Sequence, residues 1–475
     1  MPFRPAIRWA SARPHAKAFA GDVQRLCAEA RVHRVFEWFG RHEREIAELQ
    51  LAITAIPAPS FAEQARAAWL RERLEPLGLT VSTDAVGNLL ALRAGLNSAA
   101  PSIAISAHLD TVFPAATVLN VRREHARLLG PGISDNGAGL AALWALASAF
   151  QHAGIVTAQP LLFVANVCEE GEGNLRGIRH LYRERLREQP ANPLLPKEGR
   201  SGAPDTARDP APQIATLIAL DGAGTANIIS EALGSRRYEI TISGPGGHSW
   251  SDHGVPNPLI AASLAVAALF RIPLSLQPRA TLNVGTIEGG TSVNAIPSRA
   301  VVKVDLRSSH PGHLDHLEQE LRRAIAQACS EAQAHSSGGR LQHNIVLIGL
   351  RPAGELPASS PLLAAIRAVD AQLGIQSQMQ IASTDANIPL SLGLEAVSLG
   401  AGGNGGGAHT VGEWFDPAGR EQALQRLALL ILLLAGFSPQ QASCGPPPQH
   451  ANDRRAGDPG LAGDPGFPPE AGSGS

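Results

Sequence analysis

Four cysteines, at positions 27, 168, 329 and 444, are scattered along 475 residues without any CxxC spacing. That speaks against a disulfide framework and against a cysteine-built zinc module. No apolar run approaches the roughly 18 residues of a membrane span, so no membrane partner is expected. The formal net charge is only −2, which leaves no electrostatic case for nucleic acid or an acidic surface as partner. Lysine is scarce, three of 40 basic residues, and this reads as coding bias. The opening stretch MPFRPAIRWASARPHAKAFA lacks acids and has no continuous apolar segment. It does not read as a secretory signal, although an organellar transit peptide stays open. A reducing, cytoplasmic location is the expectation.

The chain does have ample apolar material, 44% of its residues, and the length for two or three domains. Residues 1–40 show no clear pattern and read as a loosely attached leader. From about 41, EREIAELQLAI has helical spacing, and SFAE offers Ser60 as N-cap with Glu63 as capping-box partner for a second helix. TVSTDAVGNLLAL reads as two short strands about a turn, and PSIAISAH as a buried strand ending at His108. After GISDNGAG a helix is expected, with Leu140, Leu143, Trp144, Ala147 and Phe150 on one stripe. PLLFVANV and TLIALDG read as fully buried strands. Such alternation implies an α/β unit, a mixed and mostly parallel sheet flanked by helices, over 41–231 and 346–437. A Pro- and Gly-rich stretch at 187–213 reads as an exposed insertion. Between 232 and 345 the order is strand–helix–strand–strand–helix–strand, that of a ferredoxin-like α+β domain. Residues 438–475 have the composition of a disordered tail.

The chemistry concentrates where strands end. In SAHLDTVFP, His108 and Asp110 stand two apart and share a face of an extended segment. A carboxylate there can hold one imidazole nitrogen and leave the other for a metal. Asp135, the Glu169–Glu170 pair, Asp221 and His409 also fall at or just beyond predicted strand ends, where ligands gather in open α/β sheets. Two His with several carboxylates, and no Cys, suit zinc, cobalt or manganese. One Asp could bridge two ions about 3.5–4 Å apart. Adjacent side chains in NVCEEGEG diverge, so one glutamate can bind metal while the other handles the proton of an attacking water. Taken singly, each signal has a plainer reading: a surface turn for the doublet, a helix cap for Asp135, a turn former at Asp221, a solvated loop histidine at His409. The glycine-rich GAGGNGGGAHTVGEWFD lacks the GxxxxGK[ST] arrangement of a nucleotide loop.

Order and context together, from about 45 to 435, resemble the zinc-dependent peptidases and deacylases typified by peptidase T, glutamate carboxypeptidase, acetylornithine deacetylase and aminoacylase. The resemblance rests on SAHLDTV, GPGISDNGAG, NVCEEGEG, IALDG, SGPGGHSW, GTIEGGTSVNAIPSRA, DLRS and STDANIPLSLGLEAVSLGAGGNGGGAHTVGEWFD. It implies that His108, Asp135 and Asp221 hold one zinc, and that Asp135, Glu170 and His409 hold the other. Cobalt or manganese are possible in their place. Asp110 would orient His108, and Glu169 would be the general base on water between the ions. It further implies a cis peptide after Asp135 and a lid and dimerisation domain at 232–345. His248 of that domain would stabilise the oxyanion, often in the partner subunit's site, while Asn294 and Arg307 would contact substrate. The implied activity is hydrolysis of an amide bond in short peptides, or alternatively in N-acyl amino acids, by a homodimer.

Overall fold

The computed structural model describes residues 16–187 and 211–438. Most of the expected insertion and nearly all of the expected tail lie outside that range, as do residues 1–15.

A nine-stranded mixed sheet organises the larger part of the chain. At its centre Leu161–Asn166, Ser102–His108, Ile214–Leu220 and Glu395–Leu399 run parallel to one another. Ser102–His108 and Leu161–Asn166 are buried along their whole lengths, as apolar runs covered on both faces should be. The hairpin Thr80–Thr83 and Leu89–Arg93 adds antiparallel strands at one side. Asn227–Ala232 joins antiparallel to Glu395–Leu399 on the other, and takes Gly354–Glu355 and Gln378–Ala382 as further partners.

The helix Gly137–His152 shows why the first forty residues cannot all be a loose leader. It is apolar around its whole circumference, with Leu140, Ala141, Leu143, Leu146 and Phe150 all inaccessible. A helix of that kind must be covered on both sides. The sheet covers one side; Ala30–Arg41 and Glu43–Thr54 cover the other, with Trp38 set edge-on to Trp144 at 5.8 Å between ring centroids. Ala16–Ala28 packs in turn on Pro361–Leu373 and Arg420–Ala435. The expected leader is thus core structure from Ala16 onward.

The helix expected to start at Ser60 begins later, at Gln64, and runs to Leu74. No capping box forms. Ser60 Oγ donates to Asp110 at 2.6 Å, and Glu63 Oε1 accepts from the amides of Phe61 and Cys168, both at 3.0 Å. Tertiary partners near the site outcompeted the local cap.

A second sheet has the order Ala280–Gly289, Arg299–Ser308, Gly234–Ser243, Gln342–Arg351, all antiparallel. Helices Pro258–Phe270 and Pro311–Ala334 pack on it around a separate apolar core that includes Tyr238, Ile240, Val302 and Ile325. This is the ferredoxin-like arrangement expected of the lid. Its last strand stays paired as far as Arg351, which carries the unit past the boundary expected at 345. A small four-stranded sheet, not foreseen from sequence, joins Asn404–Gly406, Trp414–Asp416, Arg127–Leu129 and Arg122–Glu124. No described helix is long and apolar enough to cross a membrane. Cys27, Cys168 and Cys329 carry free thiols.

Candidate metal centre

His108 is the last residue of its strand, and the segments that follow it, the strand Leu161–Asn166, the strand Ile214–Leu220 and the strand Glu395–Leu399 bring the other donors to the same end of the sheet. His108 Nε2 lies 3.1 Å from Asp135 Oδ1 and 3.8 Å from Asp221 Oδ1. His409 Nε2 lies 3.0 Å from both Asp135 Oδ2 and Glu170 Oε1. Two clusters result, His108–Asp135–Asp221 and Asp135–Glu170–His409, each with donor atoms within 4.8 Å of one another. Asp135 belongs to both and turns one oxygen toward each imidazole. All five residues expected as ligands are brought together, and the two-His, three-carboxylate donor set fits borderline divalent ions such as zinc.

Asp135 is free for this because its neighbour does the capping. Asn136 Oδ1 accepts from Gly139 N at 3.0 Å at the start of the helix Gly137–His152. The peptide between Asp135 and Asn136 is cis, as the resemblance implies.

Asp110 sits beside His108, as expected, and has a second set of partners. His108 Nδ1 donates to its backbone carbonyl at 3.0 Å, and the carboxylate stands off at 3.6 Å. A carbonyl can only accept, so the proton stays on Nδ1 and Nε2 faces the donor cluster. The Asp110 carboxylate also accepts the amide N–H of Glu169 at 2.9 Å and of Glu170 at 3.0 Å. It therefore aims the acidic doublet.

Glu169 is buried and its Oε1 accepts from Arg351 Nη1 at 3.0 Å. Glu169 also forms a third cluster with His108 and Glu170. The guanidinium on its carboxylate disfavours a cation there and leaves it beside the two ligand sets. Burial pushes Glu169 well above the usual carboxyl range, opposed by Arg351. Burial lowers the His108 imidazole, but Asp110, Asp135 and Asp221 more than offset this and it ends well above its ordinary value. Hydrogen bonds to Asp135 and Glu170 raise His409 to about 10. Burial works to raise Asp135, yet the two imidazoles hold it below the usual range.

The donors line a cleft of about 380 Å³ that Arg237, Arg307, Arg351 and Ser383 also line. Asp305 ties two of these arginines, with Oδ2 2.6 Å from Arg307 Nε and Oδ1 3.4 Å from Arg237 Nε. Arg307 was foreseen; Arg237 and Arg351 were not. RRYEI and GLRP give them no motif, and only the sheet order places them here. His248 and Asn294 lie together, Ser249 N donating to Asn294 O at 2.9 Å, but both are exposed and neither lines this cleft. Two buried acids were also missed. Burial lifts Asp385, in STDANIP, to about 7, and it lifts Glu413, in GEWFD, to about 7. The nearness of Glu413 to His409 in sequence was the available signal.

The fold and donor set define a metal-dependent hydrolase. The model of peptidase family M20/M25/M40 matches residues 104–434, and the chain belongs to that family, whose members cleave amide bonds. It is 23% identical over 379 residues to the uncharacterised protein YqjE of Bacillus subtilis strain 168, covering 76% of this chain and 91% of YqjE. A tripeptidase of Staphylococcus aureus subsp. aureus Mu50 matches with TM-score 0.65 at 19% identity, over 83% of this chain and 98% of its own. YxeP of Bacillus subtilis, a dinuclear metal-binding peptidase of the M20 family, matches with TM-score 0.58 at 16% identity, over 83% and 99%. At such identities these two show a shared fold.

Proposed function

We propose that the protein is a di-zinc exopeptidase of short peptides. The observation that carries this reading is the pair of ligand clusters sharing Asp135, with Glu169 beside them and held off by Arg351. His108, Asp135 and Asp221 would hold one ion; Asp135, Glu170 and His409 would hold the other. When bound, such ions polarise a carbonyl and make a water far more acidic. Glu169 takes the proton of the attacking water and returns it to the departing amine. Its buried setting suits that two-way role, because a general acid–base works best with a pKa near neutrality. Arg307, 37% exposed at its side chain, reaches the cleft from the lid and would clamp a substrate carboxylate, with Arg237 at its side. The small, mostly polar cleft and the tripeptidase among the structural neighbours favour peptides of a few residues over long chains.

His248 and Asn294 would complete the site of a second subunit in a homodimer formed through the lid, whose edge strand Ala280–Gly289 is largely exposed. Free thiols at the described cysteines suit a cytoplasmic setting. Glu169→Ala should abolish turnover while both ions stay bound, read by peptide hydrolysis and elemental analysis; full activity would refute the assigned base. A panel of di- and tripeptides against N-acetyl and N-succinyl amino acids separates exopeptidase from deacylase.

A further inference from the structure

The loop that carries Asp135 and the loop that carries His409 are far apart in sequence and meet at one buried side chain. Glu413 is wholly inaccessible. Its Oε1 accepts the backbone N–H of Ser134 and of Asp135, both at 2.7 Å, and its Oε2 accepts that of Gly132 at 2.8 Å. Its own carbonyl accepts from Gly130 N at 3.0 Å. One residue therefore receives four bonds from a single six-residue stretch. Its backbone is tied to His409 by a turn in which Glu413 N donates to Thr410 O at 3.3 Å and Thr410 N donates to Gly407 O at 3.0 Å. Among the described residues, every hydrogen bond to the carboxylate comes from backbone amides of the Asp135 loop.

We propose that Glu413 is a positioning residue that locks the Asp135 loop to the His409 loop, and so sets how tightly an ion is held between Asp135, Glu170 and His409. The inference rests on the di-metal reading above. Its physical basis is that three converging N–H groups need an acceptor with two oxygens and no donor of its own. A carboxylate meets that need, whereas an amide turns one N–H donor against another. The bond to Asp135 N acts on the ligand itself: Asp135 Oδ2 stands 3.0 Å from His409 Nε2, and a shift of either loop changes that spacing. Glu413 touches no reacting atom, so its effect is on ligand placement. The outer partners of metal ligands typically govern affinity by about 10–100-fold.

The test uses the full-length protein stripped by chelator and titrated with zinc, read by isothermal titration and by elemental analysis at buffered free zinc. Wild type should take up two ions. Glu413→Gln should retain one near wild-type affinity and hold the second about 10–100-fold more weakly. Turnover should recover as zinc is raised, with KM little altered. Glu413→Asp keeps the charge and should fall between the two; it carries the same measurement if Glu413→Gln fails to fold by circular dichroism. Asp370→Asn is the control. Asp370 is a buried acid paired to Arg426 at 2.6 Å, remote in role from the site, and its loss should lower the melting temperature with both zinc affinities intact. If the Glu413 variants behave like that control, the inference is overturned and the di-metal reading stands. If wild type binds fewer than two ions, the di-metal reading itself fails.

Discussion

At the scale of single residues, the acids of this site differ in work because they differ in partners. Glu169 and Glu170 are neighbours in sequence, yet one meets a guanidinium and the other an imidazole. Asp110 is the residue to which the structure adds most. Spacing of two marked it as a partner of His108; burial and the nearby amides also made it the acceptor for the doublet. Asp110→Asn keeps the volume but places a donor against one of those amides. It should cost about 1–3 kcal/mol of stability, the penalty for one buried unsatisfied N–H, together with turnover. Thermal melts and hydrolysis rates check this; unchanged values for both would show that the carboxylate does not aim the doublet. Arg351 marks the limit of sequence reading at this scale, since nothing around it distinguishes it from the many other arginines of the chain.

At the scale of elements, strongly patterned segments were legible. The buried strands ending at His108, Asn166 and Leu220, and the helix after GISDNGAG, follow from apolar runs of the right length and period. The misjudged elements were those stabilised from afar. Residues 30–41 do carry helical spacing, Val32, Val35, Trp38 and Phe39 on one buried stripe, but what that stripe covers, the outer side of Gly137–His152, is about a hundred residues away in sequence. Phe39→Ala should therefore cost about 3–5 kcal/mol, the usual price of a large core deletion. A chemical denaturation series measures it, and a loss under the size seen for surface substitutions would return this segment to the status of a leader.

For the molecule as a whole, the charged groups of the site couple stability, metal and pH. In protein stripped of metal, His409 has its pKa raised to about 10, so the stability it contributes is complete below its unfolded value near 6.5 and is lost as pH rises toward 10. His108 shifts in the same direction. Metal can bind only when these imidazoles give up their protons, so zinc uptake should release protons and tighten as pH rises. The stripped protein should lose melting temperature from about pH 6.5 to 10 while zinc affinity climbs over the same range. Melts and titrations in buffers of different ionisation enthalpy check both slopes; an affinity that falls with pH would remove the two histidines from the ligand set.

The α/β pattern, the ferredoxin-like order and the placing of the candidate donors at strand ends were written in short-range features: side-chain type, strand ends and hydrophobic period. Those depend on residues near one another in the chain. The arginine lining of the cleft, the tie of Asp110 to the acidic doublet and the grip of Glu413 on the Asp135 loop were decided only in three dimensions. Each joins segments separated by tens to hundreds of residues, and a hydrogen bond of that kind leaves no periodic trace in the sequence that makes it.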